Sequence, residues 1–234
     1  MLELTLCNTE SGAPAQQSAY VREQALLTPA MMGVLINLSG QRRFTSQRVV
    51  LYAVLGSLGH EGAIATARQT LALFREAHTT LMEGKGGVPG IFCEQLKEAY
   101  FGTLQGDAAI TDFLATASAA LDAIAGETRA APALLDTLVR GATPLLAVLN
   151  GLTLVYEEQA KRHAQRRNIV LRNRMAEIKA QTRQARLVAL KAQLVGARAG
   201  AAGTEFAALA QSMALLTGDI DTLVQQTVDA EGNF

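Results

Sequence analysis

The sequence has no tryptophan, few aromatic residues of any kind, and almost no stretch in which β-branched or aromatic residues alternate with polar ones. Without that alternation there is little from which to build strands, so all-β and α/β folds are excluded. Cysteine is nearly missing as well: Cys7 and Cys93 are the only two and have no ligand-like spacing. That rules out a disulfide framework and a cysteine zinc site, and suits a reducing compartment. The three histidines, His60, His78 and His163, are scattered without companions at metal-ligand spacing. Gly84–Gly90 contains Lys85, but no strand precedes it and no Lys-Ser/Thr pair opens a helix, so it reads as a connector and not a phosphate cradle. Glu157 and Glu158 are adjacent on a helix and point to different faces. The expectation is a non-enzyme with no catalytic residue, no metal and no cofactor.

Long uncharged apolar runs are also lacking. The longest, Ala30–Leu38, already includes Asn37 and falls far short of the ~20 residues that cross a bilayer. The N-terminus carries Glu3 and Glu10 and no basic leader. A cytoplasmic protein that does not engage a membrane is expected.

What is present is alanine, leucine and helical spacing. Residues 1–25 are polar and mixed and receive no structural assignment. Thr28-Pro29 reads as a helix start, a hydroxyl N-cap followed by proline at the first helical position, and that helix extends to about Leu58. A second covers about Glu61–Met82 with Ile64, Ala67, Leu71, Phe74, His78 and Leu81 on one face. A short helix at about Ile91–Phe101 and another at about Asp107–Ile124 follow. From Pro132 to Gly200 only Gly141, Pro144 and Gly151 interrupt helical patterning, and Pro144 is expected to kink or restart the helix. Beyond it, roughly 55 residues would make a rod of about 80 Å.

The far part of the rod carries Leu171, Met175, Ile178, Thr182, Ala185, Ala189, Ala192 and Gly196 at 4-3 spacing. After Gly200 and Gly203 a second line begins: Phe206, Leu209, Met213, Leu216, Ile220, Leu223 and Thr227. Two such lines joined by glycines predict an antiparallel helical hairpin. The fold expected is all-α: a helical bundle over 26–165 whose long helix continues into a coiled-coil hairpin over 166–230.

Charge is balanced overall and unbalanced locally. Between Lys161 and Lys191 there are ten Lys/Arg against one acid, Glu177, a local +9, so the rest of the chain sums to −9. This stretch could serve an RNA-binding regulator, but it has no aromatics for base stacking and no recognised motif, so nucleic acid is not the expected partner. A purely structural coiled-coil scaffold is the other alternative.

In the first helix Asn37, Gly40, Arg43 and Gln47 fall on one polar stripe between apolar flanks. Either the stripe is a solvated face or it holds a ligand. An arginine beside a glycine suits a small planar anion, because the guanidinium offers forked donors.

The run Ile36-Asn37-Leu38-Ser39-Gly40-Gln41-Arg42-Arg43-Phe44-Thr45-Ser46-Gln47-Arg48-Val49 resembles the signature of the PilJ-type sensor domain of type IV pilus chemotaxis transducers. The same box, with variations, occurs in nitrate/nitrite sensors of the NarX kind. Pro144–Lys161 is similar to the closing helix of that domain, so the resemblance covers about 26–165. It implies an anion, nitrate or nitrite, held between two copies of the first helix, with Arg43, Gly40, Asn37, Gln47 and Arg48 as ligand-binding residues and Arg42 adding charge beside the box. Phe44 stands where methionine is common. Further on, Leu187–Ala210 resembles the chemoreceptor signalling tip, with agreement at Ala197-Arg198-Ala199-Gly200, Gly203 and Phe206-Ala207. Lys191, Val195 and Thr204-Glu205 depart from it at positions that engage a kinase. The resemblances together imply a homodimeric signal-transduction sensor with a possible signalling partner at the hairpin tip.

Overall fold

The structure, a computed structural model, describes residues 27–231, with side chains as far as 227. Residues 1–25 and Cys7, discussed above, lie outside the described residues. Among the described residues there are six α-helices: α1 Pro29–Ser57, α2 Ala63–Glu83, α3 Glu94–Phe101, α4 Gly106–Ala125, α5 Ala131–Arg198 and α6 Thr204–Glu231. The protein is all-α, as its composition requires. The start of α1 is capped as expected: the Thr28 hydroxyl accepts from the Met31 amide at 3.2 Å, satisfying one of the amides that a helix start leaves unpaired.

Two expectations are corrected. Gly84–Gly90 is not a plain loop: Gly84–Lys85 (β1) pairs antiparallel with Val88–Pro89 (β2) in a minimal ribbon. Positive φ at Gly84, Gly86 and Gly87 makes the tight reversal possible. Pro144 does not divide α5, which runs from Ala131 to Arg198 as one element. Proline in a helix interior costs about 3 kcal/mol. Leu138 on one side of it and Leu145, Leu149 and Leu152 on the other are all buried, and their burial at roughly 1.5–3 kcal/mol each outweighs that cost.

The chain divides into two units, one ending at Lys161 and one beginning at Arg162. In the first, contacts run in opposite order along neighbouring helices. Between α1 and α5 they are Ser39–Thr153, Arg43–Asn150 and Gln47–Ala142. Between α2 and α4 they are Arg68–Asp122, Phe74–Phe113 and His78–Asp107. The result is an up-down-up-down four-helix bundle, with α3 packed where α2 ends and α4 begins. Its core holds Phe74, Leu81, Phe92, Leu96, Ile110 and Leu149 among others.

α4 and a stretch of α5 are long and apolar enough to cross a membrane by length and composition alone, with mean hydropathy 1.4 and 1.5 over their best windows. The search for uncharged runs missed them because alanine-rich helices stay apolar on average despite an occasional Asp. In the bundle Ile110, Phe113, Ala117 and Leu121 of α4 face the core.

The second unit is the hairpin, turned through a 3-10 segment at Gly200–Gly203. Its first arm buries Thr182, Ala189 and Gly196, on the expected line. Its second arm does not bury the expected one. Gly203 of the turn and Ala210, Thr217 and Val224 of α6 are buried, whereas Leu209, Leu216 and Leu223 are each 62% exposed. The reason is close approach. A Cβ at Gly196 would lie 3.0 Å from Ala207 Cβ, and one at Gly203 would run into the Gly196 carbonyl oxygen. Small residues form the seam inside one hairpin and the large ones are left outside it.

Candidate functional site

α1 carries two polar rows on different faces. The first is the stripe read from the sequence. Arg43 is half-buried, and its Nη1 donates to Asn150 Oδ1 of α5 at 3.3 Å. Gly40, also half-buried, lies beneath the guanidinium: a Cβ there would sit 3.6 Å from Arg43 Nη2, ordinary contact that does not by itself demand glycine. Gln47 Nε2 donates to the Ala142 carbonyl at 3.4 Å. Gly40, Arg43 and Gln47 thus share the α1–α5 edge. Asn37 is exposed on the same side. Arg48 is elsewhere: it is exposed, with its guanidinium 5.3 Å from the Tyr52 ring centroid, about 140° around the helix from Arg43.

The second row was not recognised in the sequence. Ser39, Arg42, Thr45 and Ser46 are fully buried. The signal was there: Met32, Leu35, Ser39, Arg42, Ser46, Val49 and Ala53 keep 3-4 spacing and form the core seam of α1. Thr45 and Ser46 donate to carbonyls of their own helix, Gln41 and Arg43, at 2.7 and 2.8 Å. Arg42 has no such local partner. Its Nη1 lies 3.3 Å from His78 Nδ1, its Nη2 donates to Ser39 Oγ at 3.3 Å, and the guanidinium is 5.7 Å from the Tyr100 ring centroid. Its Nε is buried without a hydrogen-bond partner. Among the described residues no carboxylate pairs with it directly. Burying a charge costs several kcal/mol unless it is paired, so this layer stands out in an apolar bundle.

The compensation that exists is indirect. His78 Nε2 is 3.1 Å from Asp107 Oδ1, whose side chain is 36% exposed. Burial, and then the neighbouring Arg42 charge, hold the His78 pKa below its ordinary 6.5, although Asp107 opposes them. The imidazole is therefore neutral, donating from Nε2 to Asp107 and accepting at Nδ1 from Arg42. Ser39 passes the chain on to Thr153, whose hydroxyl donates to the Leu149 carbonyl. Tyr100 and Tyr156 hydroxyls meet at 3.1 Å, and burial pushes the Tyr156 pKa well up.

A pH dependence follows. The unfolded imidazole binds a proton more readily than the folded one, so stability is full above about 6.5 and is lost as pH falls below it. Urea midpoints should drop between neutral and mildly acidic pH, and His78→Gln should flatten that drop. An unchanged profile in the variant would refute the assignment.

The pockets of this unit include one of about 240 Å³ against Phe113, Leu138 and Pro144 and one of about 510 Å³ against Gly56, Glu127 and Pro132. Neither is lined by Arg42 or Arg43. Among the described residues no three His, Cys, Asp or Glu side chains group to hold a metal. Comparison with protein-family models, curated proteins and solved structures gives no match.

Proposed function

We propose that the protein is a cytoplasmic, non-enzymatic, dimeric sensor of a small oxyanion, with nitrate or nitrite the leading candidate, and that it passes the signal to a partner protein at the hairpin tip. The observation that carries this reading is the setting of Arg43: half-buried over Gly40 on an open helix edge, with a neutral amide, Asn150, as its hydrogen-bond partner. That leaves fork donors for a planar anion. Across a two-fold axis between α1 helices, one anion would neutralise two Arg43 charges. At about 6 Å and an effective dielectric of ~20 such charges repel by roughly 3 kcal/mol before solvent screening. The test is a nitrate-dependent rise in melting temperature that is lost in Arg43→Ala.

Dimerisation is supported by the hairpin. Leu187, Leu190, Leu194, Leu209, Leu216 and Leu223 are all more than half exposed, and an apolar line of this kind marks an association surface. Light scattering should give about twice 24.8 kDa, and Leu209→Asp with Leu216→Asp should return a monomer. A wild-type monomer at micromolar concentration would contradict the dimer.

The basic arm carries the second reading, RNA binding, because Arg166, Arg167, Arg172, Arg174, Arg183 and Arg186 are all exposed. We expect only weak binding that falls steeply with salt, since released counterions drive it. A tight, sequence-selective RNA complex at physiological salt would replace the sensor reading.

A further inference from the structure

We propose that the polar layer at Arg42 is a second anion site, enclosed within one bundle, that takes a small monovalent, acceptor-only species no larger than chloride or formate. The inference does not depend on the Arg43 reading.

The donor count is its basis. Arg42 has five N–H donors, and two acceptors meet them, His78 Nδ1 and Ser39 Oγ. Nε is buried with none. None of the neighbouring hydroxyl oxygens accepts from it, and their own hydrogens need acceptors too. The Ser39 hydroxyl hydrogen goes to Thr153, because the Thr153 hydrogen is committed to the Leu149 carbonyl. His78 spends its only acceptor on Arg42. Of the two hydroxyl hydrogens of Tyr100 and Tyr156, one makes their mutual bond, and the other remains to be donated. The layer thus has a surplus of donors and one buried positive charge. The only carboxylate in the network, Asp107, reaches that charge through the imidazole.

A species that accepts from Nε and from a tyrosine hydroxyl, and brings one negative charge, corrects both deficits. Its size is limited because Arg42, Tyr100 and Tyr156 are at most 1% exposed. A divalent or bulky anion would bring too much charge and volume into the buried core of the bundle. By mass action, an anion that binds only the folded bundle raises its stability along a saturable curve.

The experiment uses the full chain at mildly alkaline pH and constant ionic strength, replacing gluconate stepwise by chloride or formate. Two readouts are taken: the melting temperature, and the nitrogen–hydrogen resonance of Arg42 Nε, assigned by its disappearance in Arg42→Lys. The proposal expects a saturable rise in melting temperature in the wild type and in Arg43→Ala, its loss in Arg42→Met and Arg42→Lys, and a saturable shift of the Arg42 resonance. If Arg42→Met fails to fold, the wild-type resonance still decides. A resonance that neither anion moves overturns the proposal. So does a thermal response that is equal in all variants, which is a general salt effect, or one lost in Arg43→Ala and kept in Arg42→Lys, which belongs to the outer site.

Discussion

Phe74→Ala is expected to destabilise the bundle by about 3–5 kcal/mol. Phe74 is fully buried at the centre of α2 and meets Phe113 of α4 edge-on, with ring centroids 5.3 Å apart and planes at 63°. Truncation removes the transfer energy of the ring, leaves a cavity in a close-packed core, and deletes an aromatic pair worth roughly 0.5–1.5 kcal/mol beyond its area. Against a usual total of about 5–15 kcal/mol for a domain, the loss is a large fraction. Urea titration followed by near-ultraviolet tyrosine dichroism isolates the bundle, since the described tyrosines Tyr52, Tyr100 and Tyr156 all lie in it. Phe101→Ala, at a side chain 58% exposed, should change stability by no more than about 0.5 kcal/mol. Equal effects in the two variants would mean that the core is misassigned.

Phe74 is also a case where the sequence was fully legible. The spacing puts Ile64, Ala67, Leu71, Phe74, His78 and Leu81 on one face, and all but the half-buried Ile64 are buried. α4 is as legible: of Ile110, Phe113, Ala117, Leu121 and Ile124, which share a face by spacing, all but the half-buried Ile124 are buried. Periodicity works there because apolar size and burial coincide. In α1 they do not. Its core seam passes through Ser39, Arg42 and Ser46, so a search for apolar lines loses it halfway and settles on the neighbouring stripe at Arg43. The two rows lie one residue apart, about 100° of helix, which separates a buried guanidinium from an edge one. In α6 the same one-step difference arises for the opposite reason. The largest residues, Leu209 and Leu216, drew the assignment, whereas the seam is set by how closely Gly196 and Gly203 let the backbones approach. Spacing fixes a helix face only when something identifies which face is buried.

Arg43→Ala is expected to abolish the nitrate and nitrite response entirely. The guanidinium would be the main source of charge and of forked donors for the anion, and removing it also removes the repulsion that the anion relieves. The empty variant dimer should therefore melt no lower than the empty wild type, and could melt higher. Arg43→Lys should respond poorly, since an ammonium keeps the charge and loses the planar fork. Arg42→Ala is no neutral control, because Arg42 is a core residue whose loss leaves Ser39 and His78 without their donor. Arg140→Ala is the better one: Arg140 is exposed and pairs with Asp136 one turn away on α5, and its loss should leave the response intact. A nitrate-dependent shift that survives in Arg43→Ala would move the sensing site away from the α1 edge.

The sensor reading is tested most directly by titration calorimetry of the wild-type protein with nitrate and with nitrite, run beside light scattering on the same sample. It predicts saturable binding of one anion per two chains, with the signal lost in Arg43→Ala while the protein remains dimeric. No heat of binding from either anion at millimolar concentration, in a sample shown to be a folded dimer, would contradict it and leave Asn37, Gly40, Arg43 and Gln47 as a polar lock that fixes the register of α1 against α5.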